Sequence, residues 1–402
     1  MPVRFRSVTV VSMVTALVAL TGCAGATTSL ADRPARANEA SAAGPVDAVG
    51  GTTKTTKSTT TIATTTTTPK GPPSDQRQMT KVDVITGGLT PKSVVADGQG
   101  HVFAQNMVYS HTINVYDRSF ERVAQISDTV DLTDFGHPGD HQGGPVEAAV
   151  SADGRHMYIT NYQMYGDGFT HPGNDKCNKG TWDPSYVYRV DIAKLAIDQI
   201  IQVGAVPKYV AASPDGKWVL NSNWCGYDLS VIDAATAKEV RTVPLGRFPR
   251  GIAVTPDSKF AYVAVMGTTD IAKVNLSTFD VTWLRNVGRG PRHLVMSPDG
   301  KFLYATLNSE GKVAKIDTAT DTVVAKVSVG SEPRSMTIST DGTALYVVIY
   351  GSDHMAKLAS SDLRVLQTLP TNHHPIGITY DGGTDQVWVA CYSGSIMVFN
   401  DR

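Results

Sequence analysis

The sequence predicts an all-β chain folded as a seven-bladed β-propeller, and two observations carry that prediction. The first is a proline at a fixed interval: Pro207, Pro249, Pro291, Pro333 and Pro375 stand 42 residues apart, and Pro91 and Pro145 extend the series upstream at spacings of 54 and 62. Such a period marks supersecondary units that bury their apolar faces only against one another. The second is the punctuation inside each unit. A turn such as Pro214-Asp215-Gly216, Pro256-Asp257-Ser258 or Pro298-Asp299-Gly300 follows most of these prolines by about eight residues and divides short, alternating, β-branched runs like GIAV and FAYVAV. Four strands per unit, repeated seven times, fit blades set radially about a channel, an arrangement that leaves few exposed sheet edges.

Taken from the N-terminus, residues 1–22 read as an export signal: Arg4 and Arg6 precede an apolar run from Val8 to Leu20 that is too short to span a bilayer. Leu20-Thr21-Gly22-Cys23 resembles the bacterial lipobox, which implies lipidation of Cys23 and a lipoprotein held on the extracytoplasmic side of the cell membrane. An ordinary signal peptide cut near Ala26 is the plainer alternative. Residues 23–78 are rich in Ala, Pro and Thr, with twelve threonines among the seventeen residues from Thr52 to Thr68. A stretch this poor in apolar residues is expected to be a disordered tether, either bare or O-glycosylated.

Residues 79–402 hold the propeller. The WD40 version is disfavoured because no copy carries a Trp-Asp pair at its third strand. Tyr158-Ile159-Thr160-Asn161, the run SPDGKFLYATLN from Ser297 to Asn308 and the run KIDTATDTVVAKVSVG from Lys315 to Gly330 resemble the YVTN repeat family. The likeness extends to the YncE-like proteins and, more distantly, to lactonase-type propellers. It implies the fold strongly and function weakly. Blade seven begins at Pro375, yet the chain ends at Arg402 with room for only three strands. Met79–Gly87 therefore reads as the missing fourth strand, closing the ring.

Of the four cysteines, Cys23 takes lipid, while Cys177 and Cys225 follow the second strands of adjacent blades and are expected to pair in an oxidising compartment. Cys391 reads as a buried, inert thiol. The formal charge of −1 falls to about −3 once the two arginines of the signal leave, which disfavours a nucleic-acid binder acting through its whole surface.

Function is expected where the units differ. Two insertions break the 42-residue rule, Asp131–Gly143 and Gln163–Pro184; both read as polar Gly/Pro-rich loops on the rim where the repeat prolines start. On the same rim Lys92, Lys208, Arg250, Arg292 and Arg334 each follow a repeat proline, so five blades set a cation at the channel mouth. Like charges gathered in a cleft focus a field that attracts anions. The bland alternative is that these side chains tie neighbouring blades together. Tyr209, Trp224 and His374 complete the expected ligand-binding set.

Glu147 and His293 are candidates for an acid–base pair, resembling the placement of such groups in lactonase and streptogramin-lyase propellers. A solely neutralising role for Glu147 is the alternative. His137, His141 and His171 offer imidazoles for a divalent metal, or are simply solvated. No Ser-His-Asp order, sialidase Asp-box or phosphate-binding loop is present. The expected function is a non-catalytic, monomeric binding protein taking an anionic partner, whether glycan, protein or nucleic acid. Nucleic acid is the version the YncE-like resemblance implies. A lactonase-like hydrolase or lyase is the alternative.

Overall fold

A computed structural model describes residues 71–170, 177 and 182–402. The signal segment, Cys23, the threonine-rich run and His171 lie outside the described residues. Those described form seven antiparallel sheets, six of four strands and one of five. Blade four shows the common plan with strands Pro249–Val254, Phe260–Val265, Ile271–Asn275 and Val281–Leu284. Second strands are sandwiched between neighbouring blades, and Ala344–Ile349 is buried at every position. Outer strands face water on one side, so Thr322–Ser328 alternates between exposed and half-buried.

The innermost strands, Pro91–Ala96, Asp140–Val150, Pro207–Ala212, Pro249–Val254, Pro291–Met296, Pro333–Ile338 and Pro375–Asp381, touch one another in sequence, and the last touches the first. That closed ring lines the channel. Closure is achieved as the sequence predicts: Met79–Thr86 pairs antiparallel with Ser395–Asp401 as the fourth strand of blade seven. The latch begins further upstream than Met79. Ser74 donates its backbone N–H to Asp341 at 2.7 Å, and Arg77 forms an ion pair with Asp385 at 3.0 Å. At its centre lies a buried pair, Lys357 with Asp401; Tyr346 Oη donates to the same carboxylate and Lys357 Nζ to the Arg77 carbonyl at 2.9 Å.

In blades three to seven the repeat proline opens its blade by one local device. The preceding residue takes the left-handed conformation, with φ of 56° at Val206, 67° at Phe248, 54° at Glu332 and 58° at His374. Its carbonyl accepts a bond from the residue just past strand two, as in Trp224 to Val206, Met266 to Phe248 and Tyr392 to His374, all at 2.9 Å. The pairing register slips next to the proline in all seven blades, for example between Pro91 and Ser93, between Pro145 and Ala148 and between Pro249 and Ile252. A bulge re-aims the side chains on it. Here those are the residues following the prolines.

The first insertion departs from expectation. Asp131–Gly143 is not an open loop throughout: Thr129–Asp131 pairs with Asp140–Gln142, and Gln142 and Gly143 pair onward with Tyr165 and Met164. Blade two thus gains a fifth strand, with its first two strands extended to 11 and 10 residues. The cause is visible in the burial of Val130, Leu132, His141 and Met164, whose apolar surface favours a hairpin over a solvated loop. Much of the second insertion, including His171, lies outside the described residues. Cys177 and Cys225 form the disulfide, with Cα atoms 5.3 Å apart.

Candidate functional site

At the end of the channel where the proline strands start, the bulges bring side chains from separate blades together. Glu147 of blade two is buried, and its carboxylate lies 4.0 Å from the Arg250 guanidinium. Burial raises the pKa of this carboxyl, while Lys92, Arg250 and Arg292 oppose the rise. Lys92, Lys208, Arg250 and Arg292 are all buried. Four of the five sequence-predicted cations therefore lie inside the mouth, with Glu147 as the carboxylate among them.

Their individual settings differ. Lys208 sits over the Tyr162 ring at 4.2 Å and the Trp224 ring at 5.5 Å. Arg250 is 5.9 Å from the Trp224 ring, which in turn stacks on Phe248 at 4.5 Å. Arg292 reaches the Met266 sulfur at 3.8 Å. Arg334 turns outward, pairs with Glu332 at 3.0 Å and lies 3.6 Å above the Tyr350 ring. His374 stacks on the other side of that tyrosine at 4.1 Å, so Arg334, Tyr350 and His374 form one column.

His293 turns to Tyr209, with Nε2 and Oη 3.5 Å apart. Burial, then Arg250 and Arg292, push the imidazole down to about 3, so it is neutral at physiological pH. Burial, then the charge of Glu147, raises the Tyr209 phenol. Glu147, Arg292 and His293 share one neighbourhood, with Arg250 and Arg292 acting electrostatically on both the carboxyl and the imidazole.

Beside this cluster opens a cavity of about 520 Å³, lined by Lys92, Lys208 and Arg334, by Tyr109, Tyr162, Tyr165, Tyr350 and Tyr392, and by His111 among others. Three of its lining residues hold a buried nitrogen with no hydrogen-bond partner: Lys92 Nζ, His111 Nδ1 and Arg334 Nε. Buried polar atoms are nearly always paired, and each exception calls for an explanation. All three belong to side chains that line this one cavity. Burial, then the nearby Arg250, hold the Lys92 ammonium pKa well below the usual lysine range.

The tyrosines of this wall escaped the sequence reading, although a signal for them exists. Tyr162, Trp224, Tyr350 and Tyr392 each stand seventeen residues after a repeat proline, a position just beyond strand two except in blade two, whose extended strand includes Tyr162. Of these only Trp224 was expected. Tyr109 and Tyr165 have no such periodic mark, since they lie on a hairpin tip and on the extension of blade two.

The histidine candidates form a separate cluster. His137 stacks on Phe169 at 4.2 Å, with the His141 ring 6.0 Å away, and both ring nitrogens of His141 are buried without partners. Among the described residues, no group of three or more His, Cys, Asp or Glu side chains is arranged to hold a metal. Cys391 is free and buried, with its thiol pushed up to about 12 by that burial.

A family model described as "Lactonase, 7-bladed beta-propeller" matches residues 177–323, and one described as "Cytochrome D1 heme domain" matches residues 285–387. Each covers less than half of the chain. A solved chain of Kuenenia stuttgartiensis hydrazine synthase superposes with a TM-score of 0.62 at 18% identity, covering 78% of this chain and 96% of that one. No curated protein sequence matches. At this identity the structural likeness is one of fold, and the chain is a seven-bladed β-propeller with lactonase-type sequence features in its middle blades.

Proposed function

We propose that this propeller is a binding protein whose cavity at the channel mouth takes a small anion bearing a carboxylate or phosphate. The observation that carries the reading is the set of three unpartnered buried nitrogens, on Lys92, His111 and Arg334, around one tyrosine-lined cavity. Arg334 supplies charge, Lys92 supplies N–H donors, and the tyrosine rings supply flat apolar surface with hydroxyl groups at their edges. A free anion and the terminal group of a glycan or protein chain both satisfy this reading, since they present the same acceptors.

Citrate tests it by titration calorimetry on the purified protein. Arg334→Ala removes a half-exposed cation, so folding should persist while affinity falls about tenfold or more, one charge-assisted contact being worth roughly 1.5–3 kcal/mol. Wild-type affinity should also fall with added salt. Equal affinity in Arg334→Ala would overturn the placement of the site.

A second reading is favoured by one observation, the lactonase-type match over the blades that carry Arg250, Arg292 and His293. His293, neutral beside Tyr209, can hydrogen-bond a substrate oxygen, and the neighbouring Glu147, raised by burial, can donate a proton. Turnover of a small γ-lactone that is lost in His293→Gln would establish it over simple binding. We place the protein outside the cytoplasm on a lipid anchor at Cys23, on the strength of the Leu20-Thr21-Gly22-Cys23 tetrad. Cys23→Ala should then move it from the membrane fraction to the medium; continued sedimentation with membranes would exclude the anchor.

A further inference from the structure

Lys92 stands apart from the other enclosed lysines of the propeller. Lys357 is ion-paired with Asp401, and Lys315 donates to the Ser361 carbonyl at 2.6 Å. Lys208 lies against two aromatic rings. Lys92 Nζ has no acceptor at all, although it sits among Arg250, Arg292 and Lys208 with Glu147 as the opposing charge. An ammonium group in such a place is costly. It lacks water and acceptors, and neighbouring cations repel it. The group that fits there is the neutral amine, whose lone pair is then unoccupied.

An amine with a free lone pair, on the wall of a cavity that also presents an arginine, is equipped for carbonyl addition. We propose that Lys92 is a carbonyl-reactive amine and that the anion taken by the cavity carries an aldehyde or keto group, as a 2-oxo acid does. This rests on the anion-binding reading above. The carboxylate faces Arg334, whose Nε is unpartnered, and the carbonyl carbon meets Nζ.

The step balances without a redox partner. The Nζ lone pair forms a C–N bond as the carbonyl π electrons move to oxygen, and a proton passes from nitrogen to that oxygen to give a carbinolamine. Loss of the hydroxyl as water, with a proton delivered to it, leaves an iminium, and return of the remaining N–H proton to the donor gives the imine. Glu147 is placed to carry that proton, because burial raises its carboxyl toward the neutral form. Hydration of the imine reverses every step, so the ligand is captured and released unchanged.

The test uses the full chain at neutral pH with glyoxylate and sodium cyanoborohydride, which reduces an imine to a stable secondary amine, followed by peptide mapping. The peptide bearing Lys92 should acquire the reduced adduct at least about tenfold faster than any surface lysine. Propanal, a carbonyl without charge, should lose most of that preference, and citrate should slow the labelling by glyoxylate. Lys92→Arg should abolish the adduct at this position. Citrate protection on the wild-type protein keeps the test valid if that variant does not fold. Labelling of Lys92 no faster than of surface lysines, with citrate binding intact, overturns the imine and spares the anion site. Rapid labelling by propanal and glyoxylate alike, without citrate protection, overturns the anion reading and spares the reactive amine.

Discussion

Lys357 and Lys92 are both enclosed by the propeller, one at the latch and one at the channel mouth, and they differ in what surrounds the amine. Lys357 is met by the Asp401 carboxylate and the Arg77 carbonyl, and Tyr346 occupies the other oxygen of Asp401. Every charged atom there has a partner from the chain itself. Lys92 has four charged neighbours and no hydrogen bond. Burial lowers the pKa of both amines. A shifted lysine is therefore a poor guide to function, whereas a shifted lysine with no acceptor locates a place the fold leaves incomplete.

The largest effect that would sharpen this contrast is at the latch. Lys357→Met leaves Asp401 buried without its cation, and breaking a buried pair from one side costs about 3–5 kcal/mol. Calorimetry should show the melting temperature falling by roughly 10 °C in a protein of this size. An unchanged melting temperature would mean that the pair holds nothing, and the contrast with Lys92 would fail.

A smaller effect separates the two regions by pH. The folded-state pKa of His293 is pushed down to about 3, below its ordinary value of 6.5, chiefly by burial. Between those values the unfolded chain binds a proton that the folded chain refuses, so stability rises with pH across the window and is lost on acidification. The slope contributed is at most about 1.4 kcal/mol per pH unit, less where His293 remains half-exposed to the channel. Urea midpoints at pH 7 and pH 5 should differ less in His293→Gln than in the wild type. The same loss on acidification in both proteins would show that the channel mouth does not exclude the proton.

Much of the fold was legible because it repeats. A proline every 42 residues, with Asp-Gly turns at a constant offset, reports blades that must pack identically, and the unpaired run Met79–Gly87 announced the latch. The cations after the prolines were legible for the same reason. What could not be read was depth. Nothing in Pro-Lys or Pro-Arg says that a bulge turns the side chain inward around Glu147, and that inward turn changes an exposed rim into a buried cluster. Nor did Asp131–Gly143 reveal its hairpin, since its Gly, Pro and Asp content signals a loop while the burial of Val130 and Leu132 decides for a strand pair. The unpartnered nitrogens of Lys92, His111 and Arg334 are invisible in principle, because a missing partner is a property of three-dimensional surroundings alone.

The smallest expected change in stability, with the opposite sign, is at Lys92 itself. Lys92→Met replaces an amine without acceptors by an apolar side chain of similar length, removing a buried polar group and its repulsion from Arg250 and Arg292. Residues kept for function against the interest of the fold commonly return about 0.5–2 kcal/mol when replaced. The variant should therefore melt slightly higher than the wild type, while its citrate affinity falls because the cavity has lost a hydrogen-bond donor. The pairing of the two outcomes is what matters. Lys357→Met and Lys92→Met are the same chemical change at two enclosed lysines, and only a site whose partner comes from outside the chain should gain stability as it loses binding. If Lys92→Met instead unfolds as readily as Lys357→Met, then Lys92 helps hold the blades together, and the anion must be sought further out, along the column of Arg334, Tyr350 and His374.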